Sequence, residues 1–186
     1  HNLSVFMQSF VYCNITDKDK LKLLPDLWAS FFLVVPTVST TFASVDRMLG
    51  KLPNEVFGWL LIDEAGQALP QSAVGAIMKT KRSFVVGDPM QIEPLVSLPQ
   101  HLTQDICKEF NVNSSAWSAP EASVQSLADR ASNICIEESN GMQQFSSLKL
   151  LVHRRCQEPM FGISNSIAYQ NLMVQDTHDK VSLIKN

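Results

Sequence analysis

The chain has 186 residues, 45% hydrophobic and 18% charged, with a net charge of −3. That length can bury a core and favours one domain, while the small negative charge excludes a protein that coats nucleic acid by bulk charge, though not a local basic groove. No run approaches the roughly 18 apolar residues of a membrane span, so no membrane partner is expected.

The start, His1-Asn2-Leu3-Ser4, lacks a signal-peptide pattern and an initiator Met, and His1 is read as a cut inside a longer protein. Cys13, Cys107, Cys135 and Cys156 are scattered, with no C-x-x-C pair and no nearby His at zinc spacing. They read as reduced thiols, and a cytoplasmic location is expected.

From Asp19 to Phe32, Leu21, Leu24, Leu27, Trp28 and Phe31 recur at three and four, predicting an amphipathic helix with Pro25 at a first turn. Leu33 to Phe42 is apolar and β-branched, which predicts a strand bent near Pro36. Ser44 is the expected cap of a short helix ended by Gly50. Phe57 to Ile62 reads as a buried parallel strand. Leu69, Ala73, Ala76 and Ile77 then fall on one helical face, with Lys79, Lys81 and Arg82 beyond it. Ser83 to Val86 is the next strand, completing a parallel crossover unit. Helices are expected from Leu98 to Phe110, from Val124 to Ala131 and from Pro159 to Met173, the last with Phe161, Ile163, Ile167 and Tyr169 partly inward. Asn111 to Pro120 reads as a loop, Ser139-Asn140-Gly141 as a turn and Leu148 to Val152 as a short strand. The end, Asp176 to Asn186, carries no clear signal.

The chemistry concentrates at two strand ends. Leu60-Leu61-Ile62-Asp63-Glu64 delivers adjacent carboxylates to the carboxyl edge of a parallel sheet, where ligands of α/β proteins bind. Adjacent acids point in different directions, so one can hold a magnesium ion while the other accepts a proton from an attacking water. The alternative is a helix cap followed by a first-turn acid. Val85-Val86-Gly87-Asp88 ends the second strand. Gly87 permits a tight turn, Asp88 can hold a lysine or a metal-bound water, and Gln91 can donate to a phosphate oxygen; a plain turn at Pro89 is the alternative. Arg155 can meet a phosphate bidentately or belong with Arg154 to a solvated patch, and His153 reads as a packing residue. Ser39-Thr40-Thr41 can donate to nucleic-acid phosphates or simply favour a strand. Phe57 and Trp59 read as core, and Trp117 as packing under its loop or stacking on a base.

In chain order these segments resemble superfamily 1 helicases, most closely the branch that contains the nonsense-mediated-decay helicase and its bacterial relatives. Val38 to Ser44 resembles motif Ib, Leu61 to Ala68 motif II (the Walker B element), Val86 to Pro94 motif III, and His153-Arg154-Arg155-Cys156 with Pro159, Asn165 and Tyr169 motif IV. The resemblance implies an α/β fold: part of a RecA-like P-loop NTPase motor, a parallel sheet flanked by helices. It implies residues 1–147 as the later part of a first motor domain and 148–186 as the start of a second. ATP and Mg2+ are the implied cofactors, with Asp63 on the metal, Glu64 activating water, Gln91 sensing the γ-phosphate, Asp88 at the nucleotide site and Arg155 reaching the γ-phosphate from the second domain. Ser39, Thr40 and Thr41 are implied to contact single-stranded DNA or RNA.

Three features depart from the pattern. Gln91 is followed by Ile92-Glu93-Pro94 where the family usually has Leu-Pro-Pro, Arg154 stands where Tyr is common, and no G-x-x-x-x-G-K-[ST] phosphate loop occurs. The expectation is therefore a fragment of an ATP-dependent helicase or translocase that needs the rest of its parent chain and is inactive alone. A nucleotide switch that does not unwind, or a non-catalytic interaction module built from such a motor, are the alternatives.

Overall fold

In the computed structural model, residues 4, 21–88, 90–132, 135–137, 143–145 and 150–177 are described. The start of the first expected helix, Pro89, the turn at Ser139-Asn140-Gly141, the first residues of the expected Leu148 strand and most of the C-terminal segment lie outside them. The chain divides into two compact units, His1–Ala128 and Asp129–Asn186. Helices mix with small, mostly parallel sheets, and no helix of the described residues is long and apolar enough to cross a membrane.

In the first unit, α1 (Leu24–Phe32) has Pro25 in its first turn and buries Leu24 and Trp28. Trp28 is 2% exposed and packs edge-on to Phe57, ring centroids 5.5 Å apart, with Leu52, Phe31 and Phe32 around it. Such aromatic pairs add to the area they bury, so this cluster anchors the N-terminal part of the unit. The amides of Val34 and Val35 both donate to the Phe31 carbonyl, and the chain then runs irregular to Thr41. The strand expected there is not formed. A strand exists by pairing its backbone groups, and no described segment pairs with this one, so Leu33 and Val34 stand 89% and 71% exposed.

The next helix, α2, spans Phe42–Leu49 with Thr41 as its N-cap. Ser44, expected to cap it, lies in the first turn instead and donates its amide to the Thr41 carbonyl. Two strands follow, β1 (Leu60–Ile62) and β2 (Ser83–Val85), joined through α3 (Pro70–Met78) and paired in parallel with Leu60, Leu61 and Ile62 opposite Ser83, Phe84 and Val85. Pro70, Ala73 and Ala76 are the buried residues of α3; Ile77, which the spacing places on the same face as the two alanines, is 42% exposed. The sheet buries one face only. Ile62, Ala65, Ala73 and Val124 form a core, while the cross-strand neighbours Leu61 and Phe84 are 71% and 57% exposed. Trp59, expected in the core, is also exposed and lies under the Arg82 guanidinium; only Phe57 of the pair is packed inside.

Helix α4 (Gln100–Glu109) buries no residue. The segment expected to be a loop holds a single helical turn, α5 (Ser114–Trp117), because the Asn113 carboxamide oxygen accepts from the Ser115 amide. Helix α6 (Val124–Ala131) buries Val124 and Gln125.

In the second unit, β3 (Cys135–Glu137) pairs antiparallel with β4 (Gln143–Phe145). There, β5 (Val152–His153) pairs in parallel with β6 (Val174–Gln175) across α7 (Met160–Ala168). Phe161 is buried, but Ile163 and Ile167, expected to point inward, are exposed. The inward polar residue is Asn165: its carboxamide donates to the Met173 carbonyl and accepts from the Met173 amide, both at 3.0 Å. Those two bonds fasten α7 to the strand that follows it.

Candidate nucleotide site

The acids sit where the β1–β2 ladder ends. The Val86 amide donates to the Ile62 carbonyl at 2.8 Å and the Ala65 amide to the Val86 carbonyl at 2.9 Å, so the two strand ends stay tied past the last regular pair. What lets them approach is a pair of glycines. A Cβ on Gly87 would lie 2.6 Å from the Gly66 nitrogen, and one on Gly66 would lie 2.7 Å from the Asp88 carbonyl oxygen. From the sequence Gly87 is expected to permit a tight turn; its φ is not left-handed, and the close approach of two backbones is what demands glycine.

Glu64 departs from ordinary strand geometry. Its φ and ψ are 55° and 38°, in the left-handed region, which a residue with a Cβ occupies at a cost of about 1–2 kcal/mol. Non-glycine residues held there concentrate at functional sites. The conformation breaks the strand sharply and starts a 3-10 turn, Ala65–Gln67. The Asp63 carboxylate supports it by accepting the Glu64 amide through Oδ1 at 3.0 Å, and Gln67 Nε2 donates to Glu64 Oε2 at 3.3 Å. Both acids are exposed, and among the described residues neither has an ion-pair partner.

The second strand end is organised by Asp88. Its Oδ1 accepts the Met90 amide at 2.9 Å and its Oδ2 accepts Gln91 Nε2 at 3.0 Å. Both oxygens thus bond within their own turn, which fixes the Gln91 carboxamide beside the strand end. Asp63, Glu64, Asp88 and Gln91 are in this way carried by two adjacent strand ends. A groove runs from the turn after the acids, lined by Gln67, Leu69 and Ser72, past Ile92 and Leu95 to Phe42. Phe42 follows Thr41 directly, so the Ser39-Thr40-Thr41 segment, exposed throughout, leads into that groove.

The donor set fits a magnesium ion. Asp63 Oδ1 accepts the Glu64 amide, and Asp63 Oδ2 has no hydrogen-bond partner among the described residues, which leaves a carboxylate oxygen for a cation. Magnesium takes one or two protein carboxylates and keeps waters beside phosphate oxygens. Among the described residues no group of three or more His, Cys, Asp or Glu that could hold a metal ion stands together.

Arg155 lies in the second unit, exposed and without a hydrogen-bond or ion-pair partner among the described residues. Its neighbour Arg154 is paired with Asp176 at 3.0 Å. His153 is a packing and bonding residue, as expected: Nε2 accepts the Cys156 amide at 2.8 Å, and the ring lies 5.4 Å from that of Phe161. Sequence reasoning missed Gln125, the largest fully buried side chain described, whose Oε1 lies 2.9 Å from where a Cβ on Gly87 would stand. Its only advance signal was a polar residue beside an apolar one at the start of a helix.

No curated protein matches the chain. Residues 29–98 match the family model described as an AAA domain, a span that holds Ser39 to Thr41, both strand ends and Gln91. The match supports a helicase-like ATPase domain in this part of the chain.

Proposed function

We propose that this chain is part of an ATP-dependent superfamily 1 helicase or translocase, spanning the later part of one RecA-like motor domain and the start of the next. The observation that carries the reading is the convergence of Asp63-Glu64 and Asp88-Gln91 on two paired parallel strand ends, with Glu64 held in a left-handed conformation. Asp63 would hold the magnesium ion, and Glu64 would accept the proton of the attacking water. When bound, the metal supplies charge stabilisation to the phosphate oxygens. Gln91, fixed by Asp88, would touch the γ-phosphate and relay its presence along the chain toward the groove, where Ser39, Thr40 and Thr41 would donate to a strand's phosphates. Arg155, by the resemblance to superfamily 1 helicases, would touch the γ-phosphate. A motor working this way changes the separation of its lobes as it hydrolyses ATP and so steps along a strand.

The test is ATP hydrolysis by the full-length protein, with and without single-stranded DNA or RNA. Glu64→Gln should lower strand-stimulated turnover by about 10²–10⁴-fold, the usual share of a general base, while nucleotide binding is kept. Turnover without strand displacement would point to a nucleotide switch. Retained turnover in the variant would sink the role given to Glu64, and no turnover in the unmodified protein would point to an interaction module.

A further inference from the structure

Gln125 is buried to 2% exposure in the second position of α6. Burying an amide is more costly than burying an apolar group of equal size, so packing alone does not favour glutamine here. Its place in the fold is specific. The preceding residue, Val124, donates its amide to the Ala68 carbonyl at 3.0 Å, in the turn that follows the acidic pair. The Gln125 carboxamide itself reaches Gly87, the residue whose missing Cβ lets the two strand ends close on each other. One side chain and one backbone bond of α6 therefore bear on both acidic strand ends at once.

We propose, resting on the nucleotide-site reading above, that Gln125 is a positioning residue: its buried amide sets the spacing between the ends of β1 and β2, and through it the placement of Glu64 relative to Gln91. The Gln125 carboxamide oxygen lies 2.9 Å from where a Cβ on Gly87 would stand, at the backbone of that strand end. Its loss therefore misplaces the water-activating and sensing groups while leaving the surface that meets nucleotide largely intact. Misplacement of this sort lowers kcat more than it raises KM.

The experiment compares Gln125→Ala and Gln125→Met with the unmodified full-length protein, reading ATP turnover and amide hydrogen exchange. Methionine keeps length and volume and removes only the amide, so it guards against a variant that fails to fold. Both variants are expected to lose about 10- to 100-fold in kcat with KM for ATP changed less than about threefold. Both should also speed exchange at the amides of Ala65, Val86 and Gln91 while leaving α1 unchanged. Restoration of kcat and exchange by methionine would reduce Gln125 to a filler of volume and overturn the proposal. So would exchange raised evenly through the unit, or kcat and KM failing together. If the unmodified protein hydrolyses no ATP, the nucleotide reading fails by itself. Exchange then decides alone: a rise confined to those three amides upholds the positioning role, and no change overturns it.

Discussion

The backbone of Glu64 allows a stability test that needs no activity. Its φ of 55° and ψ of 38° place a side-chain-bearing residue in the left-handed region, at a cost of about 1–2 kcal/mol. Glycine escapes that cost but carries about 0.5–1 kcal/mol of extra chain entropy in the unfolded state. The difference leaves Glu64→Gly about 0.5–1 kcal/mol more stable than Glu64→Ala. Both variants lose the Gln67 bond equally, so that contact cancels from the comparison. For a chain of this length the gap amounts to roughly 1–4 °C in Tm, measurable by thermal denaturation followed by circular dichroism. Gly75 is the control: it lies inside α3, and an added Cβ would meet only Val45 Cγ1 at 3.9 Å. There the order reverses, and Gly75→Ala should stabilise by about 1 kcal/mol. If Glu64→Ala proved as stable as Glu64→Gly, the left-handed conformation would not be the one the protein adopts, and the strain argument would be wrong.

Gly87→Ala should destabilise the first unit by about 1–3 kcal/mol, because the new Cβ would press on the Gly66 and Ala65 nitrogens at 2.6 and 2.9 Å. Gly58→Ala, with nothing within 4 Å, should be close to neutral in the same urea titration, and equal effects would refute the close-approach account. Asn165→Ala removes both bonds to Met173 and strands a donor and an acceptor, a loss of about 2–3 kcal/mol. A Tm within about 1 °C of the unmodified chain would show that those bonds do not hold α7 in place.

Much of the fold near the acids was legible because local signals and tertiary structure agree there. Leu60-Leu61-Ile62 and Ser83-Phe84-Val85 are apolar runs that find each other, and Ala73 and Ala76 mark the helix between them by spacing alone. Leu33 to Phe42 carried an equally good strand pattern and failed, since pattern describes a surface and pairing needs a partner. Asn113 turned an apparent loop into a helical turn through one side-chain bond, which a Ser- and Asn-rich segment disguises. Asn165 was placed on a helix that reads as apolar, and only the course of the chain at Met173 gives its carboxamide something to bind.

The site shows a sharper division. Residue types and spacing pointed to Asp63, Glu64, Asp88 and Gln91 as the candidate residues, and the structure carries them on two adjacent strand ends. They did not reveal how those residues are held. The closeness of Gly66 to Gly87 and the place of the Gln125 carboxamide beside Gly87 depend on segments far apart in the chain, and the left-handed backbone of Glu64 carries no signal in its residue type. In the proposed site the acids would act with their side chains, while the glycines and Gln125 would act through backbone spacing. On that reading a change at Asp63 or Glu64 would remove a reacting group, and a change at Gly87 or Gln125 would move one. The two kinds of residue therefore separate in experiment: the first by loss of turnover in a fold left intact, the second by a local loosening at Ala65, Val86 and Gln91 that accompanies any loss of rate.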